Sequence, residues 1–445
     1  MKIWISIFLF FNPLAFANVG EFYGLGSRNT SLSSATIAGR AGAFSGYINP
    51  AQVADQENKR LSFAMGVMYA KPAFKSIDDP VVKENDVNSD TTQYGSVNTS
   101  YPETFGQVFG LTAVLFPEWH NLSVGLVSYL PIENNLNIDT TDPYLPEYIL
   151  YRTRTQRPQV DLAMGAQVSK GFLVGGGVEW GFSMTTRTDL FIQTDQSKSS
   201  SMRVSSSVKS KFRPYFGLLK KISDDHQSAL GLVFRFPLKS PAYFEVDSGA
   251  RALSGGPAAL NFNYSATSTL QYDPLSVEFG LMTKVTSHSI SFLQLEYQRW
   301  SQYQASAIEI KSCESRACGV VISNSSNPSA TFRDIYIPKL GHEIFLNDDQ
   351  KIRFGYSYRM GVIKEISTGE NNQIDPNKHL VNLGFGQNWK NFLKSNLPVT
   401  MDVNFSLHYL ESQSVKKASD SNIGSPGYDV GGFIYGGGVT FGLEI

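Results

Sequence analysis

The chain has 445 residues, a formal net charge of -1 at pH 7 and two cysteines. That balance gives no basic face for nucleic acid, and the length allows one large β-domain or two to three ordinary ones. Charged residues make up 17% and aromatics 13%, a low and a high share for a water-soluble globule.

In chain order, Met1-Lys2, the apolar run 3–15 and Ala15-Phe16-Ala17 read as a secretory signal over residues 1–17, with a positive start and a small-x-small cleavage site. The run is too short for a spanning anchor, and Asn12-Pro13 interrupts it. Residues 18–58 follow as a separate segment. Within it, AGRAGAFSGYINPAQVA (38–54) is rich in small residues, has no clear period and ends in Asn49-Pro50-Ala51, a turn signal. Phe22, Tyr23, Leu25, Ile37, Phe44, Tyr47 and Ile48 give the segment an apolar content that argues against a disordered tail.

From residue 59 onward the dominant signal is period two. In 171–184, Phe172, Val174, Val178, Trp180, Phe182 and Met184 alternate with Gly175, Gly177, Glu179, Gly181 and Ser183. In 399–409, Val399, Met401, Val403, Phe405, Leu407 and Tyr409 alternate with polar residues that include Asp402 and His408. Glu179, Arg235, Arg353, Arg359, Asp402 and Glu444 all fall on the small or polar side of their strands. Alternation alone suits a soluble sandwich or a membrane barrel. Link lengths separate the two. Short links near 117–121, 169–171, 221–227, 286–288, 348–350 and 390–397 alternate with long ones near 71–104, 131–158, 187–207, 239–259, 312–330, 361–377 and 411–431. Outer-membrane barrels have short periplasmic turns and long external loops, and the links here imply about fourteen strands, an even number. The count keeps 260–286 as one strand kinked at Pro274, where a ladder donor is missing; the alternative is two strands with a turn at Asp273-Pro274. No later apolar run is long enough for a spanning helix, and a barrel needs none. The expected fold is therefore all-β: a transmembrane antiparallel β-barrel over 59–445. A barrel this wide is open unless filled, so 18–58 is expected to be a hatch that plugs the lumen.

The external loops are not uniformly polar. DPYLPEYILY (142–151) carries Tyr144 and Tyr148, and 241–260 carries Phe244. Such loops either pack together to close the barrel top or offer an apolar landing patch to a hydrophobic ligand. Residues 197–207 (SKSSSMRVSSS) read instead as a solvated loop tip. Arg187, at a strand top, is a ligand candidate by position alone. In an exported chain Cys313 and Cys318 read as a disulfide; a zinc site would need further ligands nearby, and no metal or cofactor is expected. Serine-hydrolase, zinc-protease and P-loop motifs are all missing. Asp402 and His408 share a strand face, but each two-residue step is about 7 Å, too far for a catalytic pair, so no enzyme is expected.

The stretch EFYGLGSRNTSLSSATIAGRAGAFSGYINPAQVA (21–54) resembles the N-terminal hatch of the FadL-type outer-membrane transporters of long-chain fatty acids and hydrocarbons. Shared features are a Gly-rich start, a small-residue stretch and an Asn-Pro-Ala turn into the first strand. LEYQRWSQYQ (295–304) resembles that family's W-S-x-[FY] strand. FRDIYIPKLGHEIFLNDDQKIRFGYSYRMGVI (332–363) and IDPNKHLVNLGFG (374–386) resemble its C-terminal strands. The patches lie in the right order over nearly the whole mature chain. The resemblance implies a monomer in the outer membrane of a Gram-negative-type bacterium, with outer-membrane lipid around it and a hydrophobic small molecule as its ligand. It implies passive uptake: landing on external loops, an apolar site, and lateral exit at a kinked strand when the hatch shifts. Asn49, Pro50 and Ala51 carry over as the hatch turn. The chain ends on Ile445 where the family ends on an aromatic residue, while Phe441 keeps the lipid-facing parity. The competing reading is a structural or surface-interaction barrel through which nothing passes. An apolar path inward from Tyr148 and Phe244 favours transport; a salt-bridged lumen opposes it.

Overall fold

The computed structural model describes residues 19–55, 60–77, 81–83, 92–94, 97, 101–116, 122–132, 145–151, 157–193, 201–223, 227–251, 259–303, 307–313, 330–365, 367–369, 371–390, 392, 398–420 and 422–445. The signal segment 1–17, Tyr144 and Cys318 lie outside the described residues, and the expected disulfide with them.

Sequence alternation becomes alternation of burial along the strands. Seventeen strands share one sheet. They are β1 (Leu61–Phe74), β2 (Thr104–Phe116), β3 (Leu122–Pro131), β4 (Gln159–Ser169), β5 (Phe172–Gln193), β6 (Ser201–Lys221), β7 (Ala229–Arg235), β8 (Leu238–Arg251) and β9 (Ala259–Asp273). Then come β10 (Leu275–Thr286), β11 (Ser289–Arg299), β12 (Ala307–Cys313), β13 (Ile335–Phe345), β14 (Gln350–Arg359), β15 (Lys378–Trp389), β16 (Val399–Lys416) and β17 (Gly427–Glu444). Fourteen of them close a ring in the order β1-β2-β3-β4-β5-β6-β7-β10-β11-β13-β14-β15-β16-β17, every neighbour antiparallel. β1 and β17 close it, from Ser62↔Glu444 to Phe74↔Gly432. All six short links lie where the spacing places them, on the side that also holds the barrel's two ends. Met65, Leu162, Phe279, Phe354, Phe405 and Phe441 face outward and are exposed, whereas Glu179, Arg213, Glu343 and Arg353 face inward and are buried. An apolar exterior on a closed ring is the lipid-facing surface of a membrane-spanning barrel.

The external side departs from expectation. β5 has 22 residues and β6 has 21, twice what a tilted crossing needs. Much of 187–207 and 239–259 is therefore paired strand rather than loop, and the supposed tip at 197–207 includes the start of β6. Ser-, Thr- and Lys-rich sequence with scattered Val and Met reads as solvated coil, yet cross-strand pairing holds it extended above the bilayer. Pro274 does mark a kink and not a hairpin: β9 ends at Asp273 and β10 begins at Leu275. The partner chain breaks at Pro237, between β7 and β8. Beyond these two prolines the β8–β9 hairpin leaves the ring, and β8 pairs in parallel with the outer half of β5, from Ala242↔Met184 to Arg251↔Gln193. The Trp-Ser motif also differs: β11 stops at Arg299, and Trp300–Gln302 forms a 3-10 turn.

Residues 19–55 fill the lumen. They form helices α1 (Val19–Tyr23), α2 (Ser27–Ser31) and α3 (Ser45–Ile48) and 3-10 turns at Gly42–Phe44 and Pro50–Ala54. Gly24 and Gly26 take positive φ between α1 and α2: Gly24 ends α1 after little more than a turn, and Gly26 is the residue from which α2 starts. The segment is held to the wall all round. Ser27 N donates to Thr440 Oγ1 at 3.0 Å, Asn382 Nδ2 to Ser33 Oγ at 2.7 Å, and Tyr215 Oη to the Gly46 carbonyl at 2.7 Å. Asn49 is the pivot of the Asn-Pro-Ala turn. Its Oδ1 accepts from Ala51 N at 3.0 Å, and its Nδ2 donates to the carbonyls of Ile37 (2.8 Å) and Leu218 (3.1 Å). Inward-facing glycines make this fit possible: a Cβ at Gly217 would lie 2.0 Å from Asn49 Oδ1.

Candidate ligand site between the external loops and the plug

The site begins at loop segment 145–151, which folds inward instead of standing in solvent. Tyr148, Ile149, Leu150 and Tyr151 are all buried. Glu147–Tyr148 pairs in parallel with Gln373–Ile374. Tyr148 stacks on Phe74 at 4.2 Å and 23°, and Tyr101 meets both rings edge-on. The Tyr148 hydroxyl donates to the Gly431 carbonyl (3.1 Å) and accepts from Gly431 N (2.8 Å), so it closes the loop onto β17. Burial pushes its phenol up to about 12 and also raises that of Tyr151, so both stay neutral at physiological pH. Tyr151 meets Phe22 of α1 edge-on at 6.1 Å. One aromatic layer thus runs from the external loops to the plug. A second aromatic group, Tyr272, Trp300, Tyr303 and Phe332, packs beside it.

Two buried cations sit where these rings meet the plug. Lys378, at the start of β15, donates to the Tyr151 hydroxyl at 2.6 Å and lies 4.8 Å from the Phe22 ring centroid. Arg359, at the end of β14, lies over the rings of Phe22 (5.0 Å) and Trp300 (5.8 Å). Its Nη1 donates to Glu21 Oε1 and Gln298 Oε1, both at 3.1 Å. Its Nε and Nη2 are buried and have no acceptor among the described residues. Buried guanidinium donors without an acceptor cost stability, and their natural complement is a carboxylate or another anion. Both cations line one cavity of about 40 Å³ with Glu21, Phe22 and His408. Aromatic walls and two buried cations form an amphipathic site.

Of the ligand candidates read from sequence, Tyr148 belongs to this layer. Arg187 is exposed on β5 and paired with Asp189 at 3.0 Å and Asp247 at 2.6 Å. Phe244 is half-buried on β8 opposite Thr186. Cys313 ends β12. Sequence reasoning missed Lys378 and saw Arg359 only as lumen-facing. The available signal was two inward cations at the external ends of neighbouring strands.

Below this layer the lumen is salt-bridged. Arg213 pairs with Glu179 (3.1 Å), Arg235 with Glu278 (3.2 Å) and Lys339 with Glu296 (2.7 Å). Arg353 bridges Glu343 and Asp402, each at 2.6 Å, so Asp402 serves an ion pair while His408 packs against Tyr23. The lumen is aromatic next to the external loops and salt-bridged below, and the aromatic layer includes Tyr148 but not Phe244. A second cavity of about 30 Å³ is lined by Glu21, Tyr47, Ile48, Arg213 and Arg235. Its boundary with the first includes Glu21, Glu296 and Lys339. It ends at a notch in the wall. β6 pairs with β7 only from Tyr215 to Lys221, and Pro214, Pro237 and Pro274 mark the level where the sheet divides. Arg213 closes the notch, its Nε donating to the Phe236 carbonyl (2.5 Å) and its Nη2 to the Pro274 carbonyl (2.7 Å).

No family model and no curated protein matches the chain. Solved structures do. A Pseudomonas aeruginosa FadL homologue matches with a TM-score of 0.56 and 12% identity, over 97% of this chain and 98% of its own. The Pseudomonas putida toluene transporter TodX matches at 0.54 and 12%, over 95% and 99%. The Ralstonia pickettii toluene transporter TbuX matches at 0.51 and 10%, over 95% and 99%. At such identities the likeness is one of fold. The closed ring and its apolar exterior agree with it, and the chain has the FadL-type fold of the outer-membrane β-barrel transporters.

Proposed function

We propose that the protein carries amphipathic hydrophobic acids, of the long-chain fatty-acid class, passively across the outer membrane. The observation that carries this reading is Arg359: two buried donors without an acceptor among the described residues, set among Phe22, Trp300, Tyr151 and Lys378. An apolar ring site alone would serve a neutral hydrocarbon equally well. Buried cations favour a ligand with an anionic head and an apolar tail. The TodX and TbuX likeness supports hydrophobic transport in general. Since the cavities are water-sized, transfer requires α1 and the loop segment 145–151 to shift. From there the two neighbouring cavities lead past Glu21 to Arg213, and release is lateral, through the notch that Arg213 closes. Phe216 and Phe236 stand outside that notch, 54% and 40% exposed, as an apolar exit surface.

The test is uptake of a labelled long-chain fatty acid by cells expressing the full chain, Arg359→Gln, or a deletion of residues 18–54. Uptake that needs the protein, falls in Arg359→Gln and changes on plug deletion supports the reading. With assembled barrels, uptake equal to the empty control overturns it.

A further inference from the structure

Beyond the closed ring the strands continue as an external sheet in the order β6-β5-β8-β9-β12. One border of that sheet is the outer half of β6, which has no role in the route just described. From Ser201 to Phe212 every residue is exposed. β5 pairs with one edge of this stretch without a register shift. The other edge has no strand against it among the described residues, since β7 joins only from Tyr215 inward. The stretch holds no glycine, and no proline before Pro214. It therefore presents a straight row of backbone N–H and C=O groups with no ladder partner, a template for one more strand.

The side chains of this edge specify that strand. Met202, Val204, Val208 and Phe212 point outward and are 67%, 52%, 60% and 63% exposed. The opposite face, which shares the inward parity of Arg213, carries Arg203, Lys209 and Lys211, and β6 contains no acidic residue. No ion pair holds these three cations among the described residues. On β5, Lys209 faces Ser183 and Lys211 faces Gly181, while Arg203 faces Asp189, which is bound to Arg187. A second copy of the chain fits this edge badly. Antiparallel pairing centred on Ser206 or Ser207 sets Arg203 opposite Lys209 or Lys211, and like charges directly opposite are destabilising. Two barrels in one membrane, related by an axis along the strands, would pair in parallel with their faces exchanged. The cationic face of one would then continue into the apolar face of the other. A strand that alternates acidic and apolar residues satisfies both faces at once.

We infer that the outer half of β6 binds, by strand addition, an extended peptide segment of a partner protein that alternates acidic and apolar residues. The segment's backbone completes the open ladder and supplies affinity. Its carboxylates meet Arg203, Lys209 and Lys211, and its apolar side chains continue the row of Val204, Val208 and Phe212. The probe is a fluorescent Glu-Val repeat peptide, titrated at low salt onto the full chain in nanodiscs of neutral phospholipid and read by anisotropy. Wild type binds it. A Lys-Val repeat does not bind, and neither does the Glu-Val repeat with an N-methylated backbone, which keeps every side chain but cannot pair. K209E/K211E weakens the acidic repeat by roughly tenfold and gains binding of the basic one. Heat-modifiable migration checks that the variant barrel is assembled. No binding of the acidic repeat by wild type, equal binding of its N-methylated form, or equal binding by K209E/K211E overturns the proposal. So does a Ser206→Cys variant whose copies cross-link on oxidation without peptide, which would make the open edge a subunit contact.

Discussion

Replacing Asn49 by Ala removes three hydrogen bonds from a side chain with no solvent exposure. Each contributes about 1 kcal/mol net, so the seated plug loses about 3 kcal/mol, more if the Ile37 carbonyl stays buried without a donor. That is roughly a hundredfold shift between seated and unseated plug. Since β6 and β7 pair independently of Asn49, the barrel should remain closed. Hydrogen exchange of purified protein reads both: protection of amides 19–55 should fall by that factor while β-strand amides hold. Gly217→Ala gives an independent arm. Its Cβ falls 2.0 Å from Asn49 Oδ1, so it displaces the same side chain, and the double variant should cost little more than either single one. Unchanged protection over 19–55 in Asn49→Ala, or full additivity of the two, would refute the pivot role of Asn49.

Tyr148→Ala should cost about 3 to 5 kcal/mol, felt as loosening of the external loops: limited proteolysis at 145–151 accelerates while heat-modifiable migration stays normal. Arg213→Ala strands buried Glu179 and two carbonyls at the notch, a loss of about 3 to 5 kcal/mol. A spin label near Phe236 should then become more mobile, and Arg213→Lys, which keeps the charge but not the fork, should recover only part of the order. Lys378→Met leaves the Tyr151 hydroxyl without its charged donor and should weaken fatty-acid binding without disturbing the ring of strands, as judged by far-UV dichroism.

The barrel was legible because its physics is periodic. Alternation of Val178, Trp180 and Phe182 against Gly177, Glu179 and Gly181 fixes a strand with two unlike faces. Alternating link lengths then fix the even count. Pro274 was readable as a kink because a missing N–H must fall where pairing fails. The external hairpins were not readable. In 201–207 the stabilising element is the partner strand β5, and no local property of SMRVSSS reveals it. The ligand layer was harder still: Tyr148, Phe22 and the paired Arg359 and Lys378 come from three distant segments, and only chain closure brings them together. Arg187, singled out by position, pairs with Asp189 on its own strand face and with Asp247, which the parallel pairing of β8 with β5 brings to it.

The central claim is that Arg359 and Lys378 read an anionic head group. Equilibrium binding of a long-chain fatty acid and its methyl ester to the purified protein tests it most directly. Two charge-assisted hydrogen bonds from Arg359, less desolvation, give the acid an advantage of about 2 kcal/mol, roughly thirtyfold. Arg359→Gln should erase that advantage and leave ester binding unchanged. Equal affinity of acid and ester for the wild-type protein would contradict the account and assign the aromatic layer to neutral hydrocarbons instead.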